Sequence, residues 1–154
     1  VNDEQETPIS AARRAMAARE LADLEFLRAV RVAAADPDPS VRRLLDNMFS
    51  ASPEPLEDAL KRASFVPDVV TGFHSGSPRE IVLRFAAGLQ SREDTVEELG
   101  RWAYAPAEPI PPQNELWEPG ENTFIDVQDA LRDDLIDADM YDAAFDRANP
   151  VMPW

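Results

Sequence analysis

Cysteine is absent from this chain, and histidine, lysine and glycine are scarce: one His, one Lys and five Gly in 154 residues. Without cysteine there are no disulfides, no thiolate metal ligands and no Cys nucleophile. A lone histidine excludes a His-based metal cluster within the chain. Five glycines, none in a G-x-x-x-x-G-K or G-x-G-x-x-G arrangement, leave no loop that cradles phosphate. No apolar run approaches the roughly 20 residues of a membrane span. The polar, acidic start, Val1-Asn2-Asp3-Glu4-Gln5-Glu6, does not read as a signal peptide, so the expected location is the cytoplasm. Positive charge is also short: 15 basic against 30 acidic residues give a net charge of −15. Nucleic acid and anionic membrane surfaces are disfavoured as partners, because both need a basic patch.

What is present suits a globular chain. Apolar residues make up 44% of it, enough at this length for one domain with a core. The charge is uneven. Residues 1–104 carry 18 acidic and 13 basic side chains, and residues 105–154 carry 12 and 2. Abundant Ala, Pro, Asp and Arg with a single Lys suggest a GC-rich bacterial genome.

Periodicity predicts an all-α fold, an irregular bundle of about six or seven helices with an extended Pro-rich arm and an extended tail. Thr7-Pro8, Asp38-Pro39 and Ser77-Pro78 each pair a capping residue with proline at the first helical position. Ser77 with Glu80, and Ser91 with Asp94, have capping-box spacing. Helices are expected over 8–35, 39–50, 54–63, 78–90, 92–103, from about 122, and over 139–148. Their apolar stripes include Leu21, Leu24, Leu27 and Val30; then Val41, Leu44, Leu45, Met48 and Phe49; then Val82, Phe85, Ala86 and Leu89. Residues 64–76 read as a loop. The organisation is a helical body over 1–104, an arm over 105–122, and a helical hairpin with tail over 123–154, packed with the body as one domain.

Little of this carries catalytic chemistry. His74 lies beside Ser75, but no nucleophile turn or orienting carboxylate is signalled, and a surface loop histidine accounts for it. Asp126, Asp129, Asp133 and Asp137 recur at helical spacing, as a solvated face, a docking face for a basic partner, or a metal site. Asp137-Ala138-Asp139-Met140-Tyr141 starts like a calcium loop and then departs from it at Tyr141. The arm is richer in signal. Pro106, Pro109, Pro111, Pro112 and Pro119 rule out a helix or a central strand there. Trp102, Tyr104 and Trp117 accompany them, and Trp154 ends the sequence. Such aromatics either pack the arm onto the body or anchor a partner.

Arg101-Trp102-Ala103-Tyr104-Ala105-Pro106, then Pro109 and Pro111, Ala130-Leu131-Arg132, and Tyr141-Asp142 opening a last helix, resemble the C-terminal part of the γ subunit of soluble methane monooxygenase hydroxylases. Upstream, a long first helix and Leu60-Lys61-Arg62-Ala63-Ser64-Phe65 before a break are similar to that family's layout. The resemblance implies a small helical subunit on larger helical catalytic subunits of a hetero-oligomer. The di-iron centre would lie in a partner subunit, and this chain would hold no cofactor, metal or catalytic residue. Trp102, Tyr104, Pro106, Pro109, Trp117 and Trp154 are the expected partner-binding residues. Two other readings fit the composition: an acidic antagonist (an immunity protein or nucleic-acid mimic) of a basic partner, and a phage structural accessory protein.

Overall fold

The computed structural model describes residues 7–106, 120 and 122–150. Among them are seven helices and no strand: α1 Pro8–Ala35, α2 Pro39–Ser50, α3 Leu56–Ala63, α4 Pro78–Ala86, α5 Arg92–Arg101, α6 Ile125–Arg132 and α7 Ala138–Ala148. The fold is all-α, as the periodicity predicts.

The helix starts follow from local chemistry. Thr7 Oγ1 accepts the Ser10 amide at 3.2 Å, Asp38 Oδ1 that of Ser40 at 2.8 Å, Ser77 Oγ that of Glu80 at 3.2 Å and Ser91 Oγ that of Asp94 at 3.1 Å. Each satisfies one of the amides that a helix N-terminus leaves open. The capping box at Ser77 is only half made. The Glu80 carboxylate does not return to the cap; it accepts from the Gly76 amide and from Arg28.

Helix ends depart more from expectation. α4 stops at Ala86, short of 90, because Gly88 adopts φ +76°. The Gly88 amide donates to Phe85 O and that of Leu89 to Arg84 O, the paired bonds of a Schellman turn. Leu89 is thereby turned out and is 61% exposed, so it does not join Val82 in the core. Gly88→Ala is expected to cost about 1–2 kcal/mol, the left-handed penalty of an L residue, since space for the methyl is open. A fall in melting temperature of a few degrees would show it, and no change would refute it.

α1, about 42 Å long at 1.5 Å per residue, is the spine. Its C-terminal half packs on α2 and α3, and it also packs on α4; α4 contacts α5 and α6, and α7 closes on α5 and α6. The largest apolar cluster joins Ile81 and Val82 of α4, Val96 and Leu99 of α5, Val127 of α6 and Met140 of α7. The α6–α7 hairpin therefore belongs to the main core. A second cluster, Val30, Leu45, Phe49 and Ala59, holds α1, α2 and α3 together.

Candidate interaction surface

The two ends of the arm are fastened to the body. Trp102 follows α5 and turns inward, 9% exposed, with Phe73 edge-on at 4.8 Å. Two residues later Tyr104 stacks edge-on against Phe124 at 5.0 Å and donates its hydroxyl to Leu99 O at 2.7 Å. Burial first, and the nearby charge of Asp126 second, push the Tyr104 phenol well above its ordinary range. On the return side, Asn122 takes a left-handed conformation, and its carbonyl accepts the Ala105 amide at 2.9 Å. The arm thus leaves and rejoins the body at one point.

For Trp102 and Tyr104, the packing takes the intramolecular of the two alternatives: both are spent on the core at the base of the arm. Pro106 is exposed. Pro109, Trp117 and Trp154 lie outside the described residues.

Of the four carboxylates expected to share one helical face, Asp126, Asp129 and Asp133 stay with α6 and Asp137 does not. α6 ends at Arg132, Asp133 caps it, and Asp134 adopts φ +55° and breaks the run. Asp137 belongs to the next helix, where it caps α7 by accepting the Met140 amide at 2.9 Å and pairs with Arg92. Its place after a turn explains the calcium-like start of the sequence there as a helix cap. Among the described residues no three His, Asp or Glu side chains converge as metal ligands, and no helix is long and apolar enough to cross a membrane.

His74 has a partner that the sequence does not signal. Its Nδ1 lies 2.7 Å from Oε1 of the buried Glu98, while most of the ring faces solvent. Arg101 covers the Phe73 ring at 4.0 Å and donates to Gly72 O at 2.6 Å. Ser75 is fully buried, so it cannot meet a substrate. These contacts dock the 64–76 loop onto α5.

The feature best suited to binding is one that sequence reasoning misread as core. On α2 only Leu45 and Phe49 are buried; Leu44 is 68% and Met48 54% exposed. The five apolar positions form a stripe wider than α1 and α3 can cover. With Phe26, Ala29 and Ala33 of α1, the uncovered side chains wall a groove of about 370 Å³ whose floor is Val30 and Leu45. No charged side chain lines it. Val32 extends the apolar surface on α1 and is 71% exposed. The signal in the sequence was the width of the stripe, which exceeds what one neighbouring helix buries.

Comparison with protein families, with characterised proteins and with solved structures finds no match to this chain.

Proposed function

We propose that this chain is a non-catalytic helical accessory subunit that docks on, and stabilises, the larger helical catalytic subunits of a bacterial enzyme complex. The observation that carries this reading is the open apolar groove between α1 and α2, rimmed by exposed Leu44, Met48 and Phe26. Large apolar side chains left together at a surface mark interaction sites, whereas scattered ones do not. The particular form we propose is the γ-like subunit of a multicomponent di-iron monooxygenase hydroxylase, with the iron held by a partner. Its support is the resemblance that runs from Arg101 through Pro106 to Tyr141-Asp142. The arm adds to the docking surface: fastened at both ends, and stiffened by proline, it loses less entropy on binding than a free segment.

Native purification from the source organism tests both levels. Stoichiometric recovery of this 17.1 kDa chain with two larger chains and iron is the expected result. Recovery without iron would overturn the oxygenase form, and recovery of the chain alone would overturn the subunit reading.

A second reading has its own support. Asp139, Asp142 and Asp146 are exposed at helical spacing on α7, and none is in a salt bridge with a described residue. An acidic antagonist would use this stripe against a basic partner. Salt separates the two readings, since exposed charge pairs are screened within about 8 Å at physiological ionic strength and apolar contacts are not.

A further inference from the structure

We infer that the α1–α2 groove receives a single amphipathic helix of the larger partner, with a basic flank on its α1 side. The inference rests on the subunit reading and names the element that it leaves open. Two apolar walls with an apolar floor take the stripe of a helix laid between them, one large side chain per turn or so. Ala29 and Ala33 make the α1 wall low, so bulky residues of the incoming helix reach Val30 and Leu45 on the floor.

A second copy of this chain fits less well. α2 has 12 residues, so it is about 18 Å long, and two adjacent helices span roughly 20 Å. The resulting face is roughly 360 Å² in projection, well short of the about 800 Å² per partner of a stable interface. A larger partner covers the groove with one helix and adds area elsewhere.

Charge sets the flank. At about 100° per residue, Glu25 stands beside Phe26 and Ala29 on the outer edge of α1. Asp36, just past the helix end, falls three turns further along the same edge. Both are exposed. Across the groove the corresponding edge of α2 carries Ser40 and Asn47, which are neutral. The lobe has no excess charge of its own, with nine acidic and nine basic residues over 8–66. A Lys or Arg on one flank of the guest helix therefore meets carboxylates on one side only.

The test uses the full chain and the larger chains recovered with it. Leu44→Asp combined with Met48→Asp is expected to weaken their association at least tenfold, and Glu25→Lys to weaken it by a smaller factor that salt reduces. All three positions are exposed, so circular dichroism and the melting temperature should stay near wild type. A photo-crosslinking residue at Met48 should then label a partner peptide with apolar residues three and four apart and a Lys or Arg flank. Undiminished association of the double variant, or labelling of a segment without that pattern, overturns the groove assignment and leaves the subunit reading standing. If the wild-type chain has no partner at all, both fall together.

Discussion

Arg28→Ala is expected to lower the unfolding free energy by about 3–5 kcal/mol, the range for breaking a buried ion pair from one side. Arg28 bridges three parts of the fold. Its Nη1 and Nη2 donate to the two oxygens of Glu80 at 2.7 and 2.6 Å, and its Nε and Nη2 donate to Pro67 O at 3.0 and 2.8 Å. One side chain thus ties α1 to the first turn of α4 and to the loop after α3. The loss of charge is not what makes the change costly. Glu80 is 3% exposed, and without Arg28 its carboxylate keeps only the Gly76 amide at 2.8 Å. A buried anion left with one neutral donor is strongly unfavourable. A loss of this size would be a large share of the 5–15 kcal/mol typical of a domain.

The pH dependence distinguishes this account from simple loss of packing. Burial raises the Glu80 carboxyl, but the Arg28 bonds, the Gly76 amide and the charges of Arg28 and Arg84 outweigh it, and the net shift is downward. A depressed folded value contributes stability above the unfolded value of about 4.3, and that contribution is lost as pH falls through the folded value. In Arg28→Ala the strongest lowering partner is gone, the Gly76 amide and the charge of Arg84 stay, and burial, the largest single influence, remains, so the carboxyl shifts upward and takes a proton more readily. The destabilisation measured by urea titration should therefore be large at pH 7 and much smaller at pH 4. Glu80→Gln in the Arg28→Ala background should recover part of the loss at pH 7. An equal penalty at both pH values would refute the buried-charge explanation.

The Arg28–Glu80 pair marks the boundary of what the sequence discloses. Helix starts are legible because a cap acts over three residues: Thr7, Asp38, Ser77 and Ser91 each announce their helix and each make the bond they announce. Partners 52 residues apart leave no such mark, since periodicity tells which face of a helix is apolar and not which face it meets. The same gap explains Trp102 and Tyr104. Their type signals a demand for burial, which the inward turn after α5 meets, and the arm around them only suggested an external partner. α2 errs in the opposite direction. A stripe of five apolar residues reads as core, yet α1 and α3 leave Leu44 and Met48 open, and the uncovered remainder became the candidate surface. At Asp134 a helical spacing of aspartates concealed a turn, because Asp tolerates the left-handed conformation that ends α6. Gly88 is a stop that the expected helix over 78–90 runs past, and there the helix yields to the glycine.

The arm gives the second large expectation. Phe124→Ala should cost about 3–5 kcal/mol, the usual loss for a fully buried aromatic in a core that cannot close over the space. Phe124 is 1% exposed, and its ring meets Tyr104, Tyr141 and Phe145 edge-on with centroids 5.0, 5.6 and 5.5 Å away. Each such pair adds about 0.5–1.5 kcal/mol beyond area burial, so the site depends on ring geometry as well as volume. Phe124→Leu, which keeps an apolar group of some bulk but no ring, should cost distinctly less than Phe124→Ala. The position of Phe124 matters more than its size. It sits two residues after Asn122, where the arm rejoins the body, and opens α6 without a side-chain cap. Tyr104, just before the arm begins, is its first ring partner, so one ring contact joins the residues that flank the arm on either side. Hydrogen exchange should report this directly: in Phe124→Ala the Ala105 amide, bonded to Asn122 O in the wild type, should exchange faster, while the Val30–Leu45 lobe on the far side of α1 keeps its protection. If that lobe opens in step with the arm, the two clusters fold as one cooperative unit, and the view of the arm as a fixture fastened locally by aromatic packing is wrong.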